Sequence, residues 1–382
     1  MAKLGEVCKL NMGQSPDSSS YNDTGDGIPF FQGNADFGEI HPNIRVWCNA
    51  PTKIAHPGEI LISVRAPIGA MNIADCECCI GRGLASISAD EAVCTTKYLW
   101  YGISSKIEEL NAKGTGSTFK AINKKTLEET EIPIRDLIEQ ERIVANLDSV
   151  TALISLRKQQ LAKLDELVKA LFVEMFGDSV ANTKNFPSTT LETVMTVFPQ
   201  NGLYKPQTDY VQDDTGIPIL RIDAFYNGKV TNWNTLKRLI CSETEIDRYL
   251  LRENDIVINR VNSIEYLGKC AHIVGLKEKT VFESNMMRFH IDEKKVNAVY
   301  VTEVLCTEDI YRQILRRAKK SVNQASINQE DVKSLEILVP PLSLQNRFAA
   351  FVERVNQQKQ TIQQSLEKLE LMKKALMQEY FG

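Results

Sequence analysis

The sequence predicts an α+β protein built as a pseudo-twofold tandem repeat. Two mixed helix–strand domains are each followed by one long helix, and the two helices pair as an antiparallel coiled coil. Three observations carry this reading. The end of each half repeats, each repeat holds a heptad of apolar residues, and the segments before the repeats read as short strands and helices divided by turn residues.

The repeat organises the chain. A shift of 205 residues lays 114–177 on 319–382, with 19 of 64 positions identical. Ile122-Asn123 falls on Ile327-Asn328, and Glu131-Ile132 on Glu336-Ile337. Leu137, Gln140 and Arg142 fall on Leu342, Gln345 and Arg347, and both copies end in Phe-Gly. Upstream the halves match in outline only: Gly27-Ile28-Pro29 with Gly216-Ile217-Pro218, and 58–65 with 254–260. The expected boundaries are a first domain over 1–135, a helix within 136–177, a second domain over 178–340 and a helix within 341–382. Unlike domains on like helices suggest one scaffold presenting two specificities.

The helices follow from a 3-4 apolar spacing. In the first copy it runs from Ile143 through Leu147, Val150, Ile154, Leu161, Leu164 and Leu171, broken at Arg157. In the second it runs from Phe348 through Val352, Val355, Ile362, Leu366, Leu369 and Leu376, broken at Lys359 and Lys373. Neither stretch contains Pro, and Gly177 suits a helix stop. Each helix would cover about 34 residues, or about 50 Å. A stripe that narrow must face another helix, and the other copy in the same chain is the nearest partner. An antiparallel pair would hold the domains at opposite ends of a rod, about 1.5 turns of B-DNA apart. A seam alone does not name its partner, so dimerisation of the whole chain is the competing reading.

The upstream segments predict strands at 60–64 and 255–258, turns at Pro57-Gly58 and Asn227-Gly228, and helices near 96–112 and 297–318. Tyr98, Trp100 and Tyr101 read as helix core.

Composition bounds the function. A 382-residue chain with 43% hydrophobic and 25% charged residues is ordinary globular protein. No apolar run has the length of a membrane span, and the first residues lack a signal peptide's apolar core, so a cytoplasmic location without membrane contact is expected. Nine cysteines there read as free thiols. Cys76, Cys78 and Cys79 are too crowded for the usual four-ligand zinc site and read as buried thiols near a strand. The histidines, His41, His56, His272 and His290, show no ligand or triad spacing. The two Gly-Lys pairs are followed by Val230 and Cys270, not Ser or Thr, which argues against a P-loop. No Asn-Pro-Pro-aromatic loop of an amino-methyltransferase occurs, and the Pro-Asp pair that a metal nuclease would need, Pro16-Asp17, lies far from the acid-x-Lys sites at 292–294 and 331–333.

The net charge of −4 excludes a generally basic protein but not basic edges. Side chains suited to base edges follow the matched strand: Arg65, and then Arg82 between two glycines, in the first copy, and Asn259, Arg260, Asn262 and Ser263 in the second. Arg grips guanine with two hydrogen bonds and Asn does the same to adenine. Such residues also serve as surface ion-pair partners; the presence of Arg after the strand in both copies leaves base reading and that role equally open. Lys113, Thr115, Ser117 and Lys120 form a small-residue, hydroxyl and lysine patch suited to phosphate. Its counterpart is the basic stretch with Arg316, Lys319, Lys320, Asn323 and Gln324. A solvated helix face would look similar; recurrence at the matching place points to DNA.

The two-copy plan, the segments 131–143 and 339–348, and the heptads ending in Phe-Gly resemble the specificity subunit of Type I restriction–modification systems. Gly13-Gln14-Ser15-Pro16, Gly27-Ile28-Pro29-Phe30-Phe31-Gln32-Gly33 and Arg65-Ala66-Pro67-Ile68-Gly69 are similar to stretches of first target-recognition domains in that family, and 259–263 to stretches in others. The resemblance implies a non-catalytic subunit that reads a bipartite, asymmetric site in double-stranded DNA, one half per target-recognition domain. It implies two methyltransferase subunits that use S-adenosylmethionine, and endonuclease–translocase subunits that use ATP and magnesium, with no cofactor held by this chain. The alternative from the residues alone is a coiled-coil adaptor that binds other proteins. One departure stands out: the prolines before the second helix, Pro340-Pro341, are Arg135-Asp136 in the first copy.

Overall fold

The computed structural model describes residues 1–116, 120–213 and 215–382. The chain divides into two compact units, Met1–Gln160 with Ile362–Gly382, and Leu161–Thr361. Both long helices therefore contribute to both units.

In the first unit an antiparallel four-stranded sheet has the order Cys8–Met12, Leu84–Ala89, Ile60–Ser63, Met71–Ile73. A five-stranded sheet adds Tyr21–Asn22, Trp47–Cys48, Ile28–Phe31, Cys78–Ile80 and Ile54–Ala55. Strand Ile60–Ser63 explains its own apolar run. Successive side chains point to opposite faces. Ile60 and Ile62 enter the core that also holds Tyr98, Leu99, Ile143 and Leu147, while Leu61 enters a second core with Phe31 and Ile80. Ala2–Lys3 pairs with Glu131–Ile132, which closes the domain just before the first long helix.

The second unit repeats this scheme. Its strands Met195–Asn201, Met286–Ile291, Asp255–Asn259 and Cys270–His272 stand in the same order. They are extended by Gly228–Val230 and Phe225–Tyr226, joined through Asn227 and Gly228, whose φ values of 48° and 77° suit a two-residue hairpin turn. Ile256 and Ile258 enter one core and Val257 another. Ser188–Thr190 pairs with Glu336–Leu338 as the closing strand.

The predicted helical segments appear as Thr96–Ser105 with Ile107–Ala112, and Ala298–Leu305 with Glu308–Arg317. The long helices are Leu137–Phe176 and Leu342–Phe381, each 40 residues and thus longer than the seam suggested. Their starts explain the extra length. Asp136 Oδ1 accepts from Glu139 N at 2.9 Å, and Pro341 occupies the equivalent position with its carbonyl accepting from Leu344 N and Gln345 N. An aspartate cap and a proline thus start the same helix in the two copies.

The helices run antiparallel within each unit. In the first, Asn146 donates to the Tyr380 hydroxyl at 3.2 Å and Lys158 pairs with Glu370 at 3.2 Å. Leu147, Val150, Ile154 and Leu366 are buried there; Leu369 and Leu376 are half-buried, and Leu376 packs on the core. In the second, Lys359 pairs with Asp165. Leu164 and Leu171 pack against the core containing Phe348, Val352 and Val355. Leu161 and Ile362 are half-buried. Lys359 thus turns a break in the apolar seam into a charge pair.

Each helix start is pinned by a buried glutamine. Gln140 accepts from Thr95 N at 2.9 Å and donates to the carbonyls of Val93 and Arg135 at 2.8 and 2.9 Å. Gln345 accepts from Asn297 N at 2.9 Å and donates to Pro340 O at 2.7 Å. Each helix end meets a tyrosine. The Phe381 ring lies 4.9 Å from Tyr98, and Phe176 lies 4.6 Å from Tyr300. Both tyrosines donate to matched carbonyls, Pro133 and Leu338, at 2.9 Å. Burial pushes the Tyr98 hydroxyl up to about 12 and Tyr300 higher still. Trp100, beside Tyr98, is half-buried.

Among the described residues, no helix is long and apolar enough to cross a membrane.

Candidate nucleic-acid interface

Backbone hydrogen bonds bring the separate candidate stretches together in each unit. In the first, Val64 N donates to Gly83 O at 2.9 Å, which sets the strand end bearing Arg65 beside the turn bearing Arg82. Ala66 N donates to Lys120 O at 3.0 Å, and Ile122 N to Val64 O at 2.9 Å. Thr115 and Ala121 bond each other in both directions. Arg65, Arg82, Thr115 and Lys120 are therefore gathered along one edge, all exposed. Lys113 is also exposed but pairs with Glu109 at 2.6 Å, an i,i+4 pair that offsets part of its charge locally. Ser117 lies outside the described residues, as do Thr118 and Phe119.

In the second unit the loop after Asp255–Asn259 joins the basic stretch in one small sheet. Its order is Val261–Asn262, Ala325–Ser326, Lys319–Lys320. Ser321 N closes the hairpin on Gln324 O at 2.8 Å. Lys319, Lys320, Asn323 and Gln324 are exposed on it, and Val322 at its tip is 98% exposed. Two-stranded ribbons of this kind fit the major groove. Asn262 and Ser263 are half-buried, with Asn262 Oδ1 accepting from Ser263 N at 2.8 Å. Of the basic residues from 312 to 320, two have structural work. Arg317 holds Ser334 and the Gln313 carbonyl, and Arg312 pairs with Glu308 at 3.3 Å. Arg316, Lys319 and Lys320 are exposed.

Two expectations are corrected. Asn259 is fully buried, and its amide nitrogen reaches Tyr266 O at 3.4 Å. It belongs to the central strand, where side chains fill both cores, and has no path to a base edge. Arg65 and Arg260 are also not equivalent. Ile122 N donates to Val64 O, whereas the matching Ile327 N donates to Arg260 O. Val64, not Arg65, is therefore the counterpart of Arg260, and a one-residue offset turns a side chain to the other face. Accordingly Val64 is buried, Arg65 is exposed, and Arg260 is half-buried with Nη1 on Ser284 O at 3.1 Å.

The same bonding scheme shows a residue that residue-type reasoning missed. Gly13 N donates to Leu84 O and Gln14 N to Ile80 O; Gly202 N donates to Met286 O and Leu203 N to Phe282 O. A Cβ on Gly13 or Gly202 would sit 2.2 Å from a carbonyl oxygen, so both turns require glycine. The next residue is Ser15 in one copy, whose hydroxyl accepts from Arg82 N at 3.3 Å, and Tyr204 in the other, 78% exposed. Tyr204 follows Leu203, whose carbonyl accepts from Ser284 N at 2.9 Å, so an exposed aromatic side chain is added next to the segment that Arg260 Nη1 reaches. The signal was present as a glycine in each copy, but no sequence identity flanks it.

Cys78 and Cys79 are buried in strand Cys78–Ile80, and burial pushes the Cys78 thiol up to about 12. Cys76 is half-exposed.

Comparison with known proteins gives the family. Residues 1–166 and 186–371 match the Type I restriction modification DNA specificity domain. The putative type I restriction enzyme MjaX specificity subunit of Methanocaldococcus jannaschii is 42% identical over 163 residues, covering 43% of this chain and 38% of that protein. The type I restriction enzyme EcoKI specificity subunit of Escherichia coli K12 is 25% identical over 276 residues, covering 68% of this chain and 57% of that protein. The chain thus spans well under two thirds of either relative's length. The crystal structure of the Type-I restriction-modification system S subunit from M. genitalium matches all of this chain and 95% of its own, with a TM-score of 0.61 and 14% identity, which is a likeness of fold. The family match covers most of both halves, so this chain belongs to the Type I restriction modification DNA specificity domain family.

Proposed function

We propose that the chain is the non-catalytic, sequence-reading subunit of a Type I restriction–modification complex. Each half reads one part of a split, asymmetric site in double-stranded DNA, and the paired helices set the unread gap. The observation that carries this reading is the family match in both halves, each of which also presents an arginine and lysine edge on strand ends. Arg65 and Arg82 in the first half, with Arg260, Asn262, Ser263, Asn323 and Gln324 in the second, supply groups for base edges. Lys113, Lys120, Arg316, Lys319 and Lys320 supply cations for phosphates.

Two methyltransferase subunits dock on this chain, bind S-adenosylmethionine and methylate adenine. Endonuclease–translocase subunits, driven by ATP with magnesium, join them for cleavage. The chain itself holds none of these cofactors and works in the cytoplasm. Selection from random duplex pools, with and without the methyltransferase partner, tests the proposal. The expected product is two short blocks at a fixed gap. No enrichment even with the partner present would remove DNA reading and leave an adaptor for proteins.

A further inference from the structure

Two thiols in the second unit are placed for covalent chemistry that DNA reading does not use. Cys270 begins the strand Cys270–His272 and is almost fully buried. Cys306 caps the helix Ala298–Leu305 and is exposed. Their sulfurs are 3.6 Å apart. A disulfide needs about 2 Å between sulfurs, a distance that rotation of the exposed cap side chain can close. Cys306 also lines a surface pocket of about 320 Å³ with Tyr226, Tyr266, Lys269 and Tyr311. Cys270 borders the same pocket, but it is almost fully buried while Cys306 is exposed, so Cys306 is the more accessible of the two.

We propose that Cys306 and Cys270 form a reversible oxidation site for hydroperoxides, with Cys306 as the attacking thiol and Cys270 as the resolving one. The Cys306 thiolate attacks one peroxide oxygen. A sulfur–oxygen bond forms, the oxygen–oxygen bond breaks, and the departing alkoxide or hydroxide takes the proton Cys306 released. Cys270 then attacks the sulfenic sulfur. A sulfur–sulfur bond forms, the sulfur–oxygen bond breaks, and the leaving hydroxide takes the Cys270 proton as water. Two thiols lose two electrons and one peroxide gains them.

The surroundings suit these roles. Lys269 lines the same pocket as Cys306. Cys306 itself and burial hold the Cys270 thiol well above its usual range, so the exposed thiol is the one that meets a peroxide first. The resulting link ties strand Cys270–His272 to the helix cap. The loop 260–269, which carries Asn262 and Ser263, ends at that strand, so oxidation would fix one end of it.

The test treats the full chain with a few equivalents of hydrogen peroxide and reads intact mass and non-reduced peptide maps. The expected result is a loss of two hydrogens, a cross-linked peptide pair containing Cys270 and Cys306, and full reversal by a thiol reductant. Cys306→Ser should abolish the link. Cys270→Ser should stop at one added oxygen on Cys306, trapped by dimedone. Accumulation of further oxygens on Cys306 of the native protein with Cys270 still reduced would overturn the proposal, as would an undiminished two-hydrogen loss in Cys306→Ser. Cys306 is exposed, so that variant keeps the test decisive if Cys270→Ser does not fold, and its melting curve checks this.

Discussion

Gln140 and Gln345 each satisfy backbone groups from two segments at the start of a long helix. Removing such a side chain strands buried donors and acceptors at about 1–3 kcal/mol. Gln345→Ala should therefore lower stability by about 2 kcal/mol in urea denaturation, and a loss within error would show that water replaces the amide. Arg65 and Asn259 should behave oppositely. Arg65→Ala should leave unfolding unchanged and relax discrimination at one base by about 1–3 kcal/mol. Asn259→Ala should change stability and leave the selected DNA sequence alone. If Asn259→Ala changes the selected bases, the buried assignment fails. His272 gives a pH signature. Burial holds its imidazole below the ordinary 6.5. In the window between the folded value and 6.5 the unfolded chain binds more protons. This histidine's contribution is thus present above about 6.5 and lost as pH falls through the folded value. Glu283 and Glu303 are raised by burial and act in the opposite sense from 4.5 upward. The difference between the native protein and His272→Gln isolates the histidine: the variant should lose less stability between neutral and mildly acidic pH, and parallel curves would refute the assignment.

Among elements, legibility followed burial. Strands Ile60–Ser63 and Asp255–Asn259 were readable because both of their faces are apolar. The two-residue strands Val261–Asn262 and Lys319–Lys320 were not, because their order comes from backbone pairing between distant segments and leaves no period in the side chains. That pairing is what joins the loop to the basic stretch, so the candidate residues were visible one by one while their assembly was not. The same limit produced the false equivalence of Arg65 and Arg260, since a one-residue offset is invisible without hydrogen-bond register. Helix starts at Leu137 and Leu342 were hidden because an aspartate and a proline do the same work with different chemistry. The hairpin Lys319–Ser326 carries a prediction of its own. If Lys319 and Lys320 each neutralise one phosphate, replacing both with Ala should reduce the slope of log affinity against log salt by about 2, with the selected sequence unchanged. An unaltered slope would move the DNA contact off this hairpin.

For the whole molecule the 205-residue repeat was the most informative feature, because it announces one scaffold used twice. The hydrogen-bond scheme extends that symmetry into the upstream domains, where sequence identity has gone: Gly13 matches Gly202, Ser63 matches Asn259 and Tyr98 matches Tyr300. The halves differ in loops, in exposed side chains and in added elements, such as the two strands Gly228–Val230 and Phe225–Tyr226 that extend the second sheet. If the paired helices set the unread gap, as proposed, their length is the quantity to vary. Seven residues leave the apolar seam in phase and add about 10 Å of helix, which is up to about three base pairs at 3.4 Å each. One heptad inserted into each helix, near 160 in the first and 361 in the second, should therefore lengthen the gap between the selected blocks and leave both blocks intact. Selection from random duplexes with the methyltransferase partner present reads both quantities at once. An unchanged gap with both blocks still enriched would mean that something other than the helices sets the spacing. Replacing residues 1–135 with another first domain should, in the same assay, rewrite one block and preserve the other and the gap.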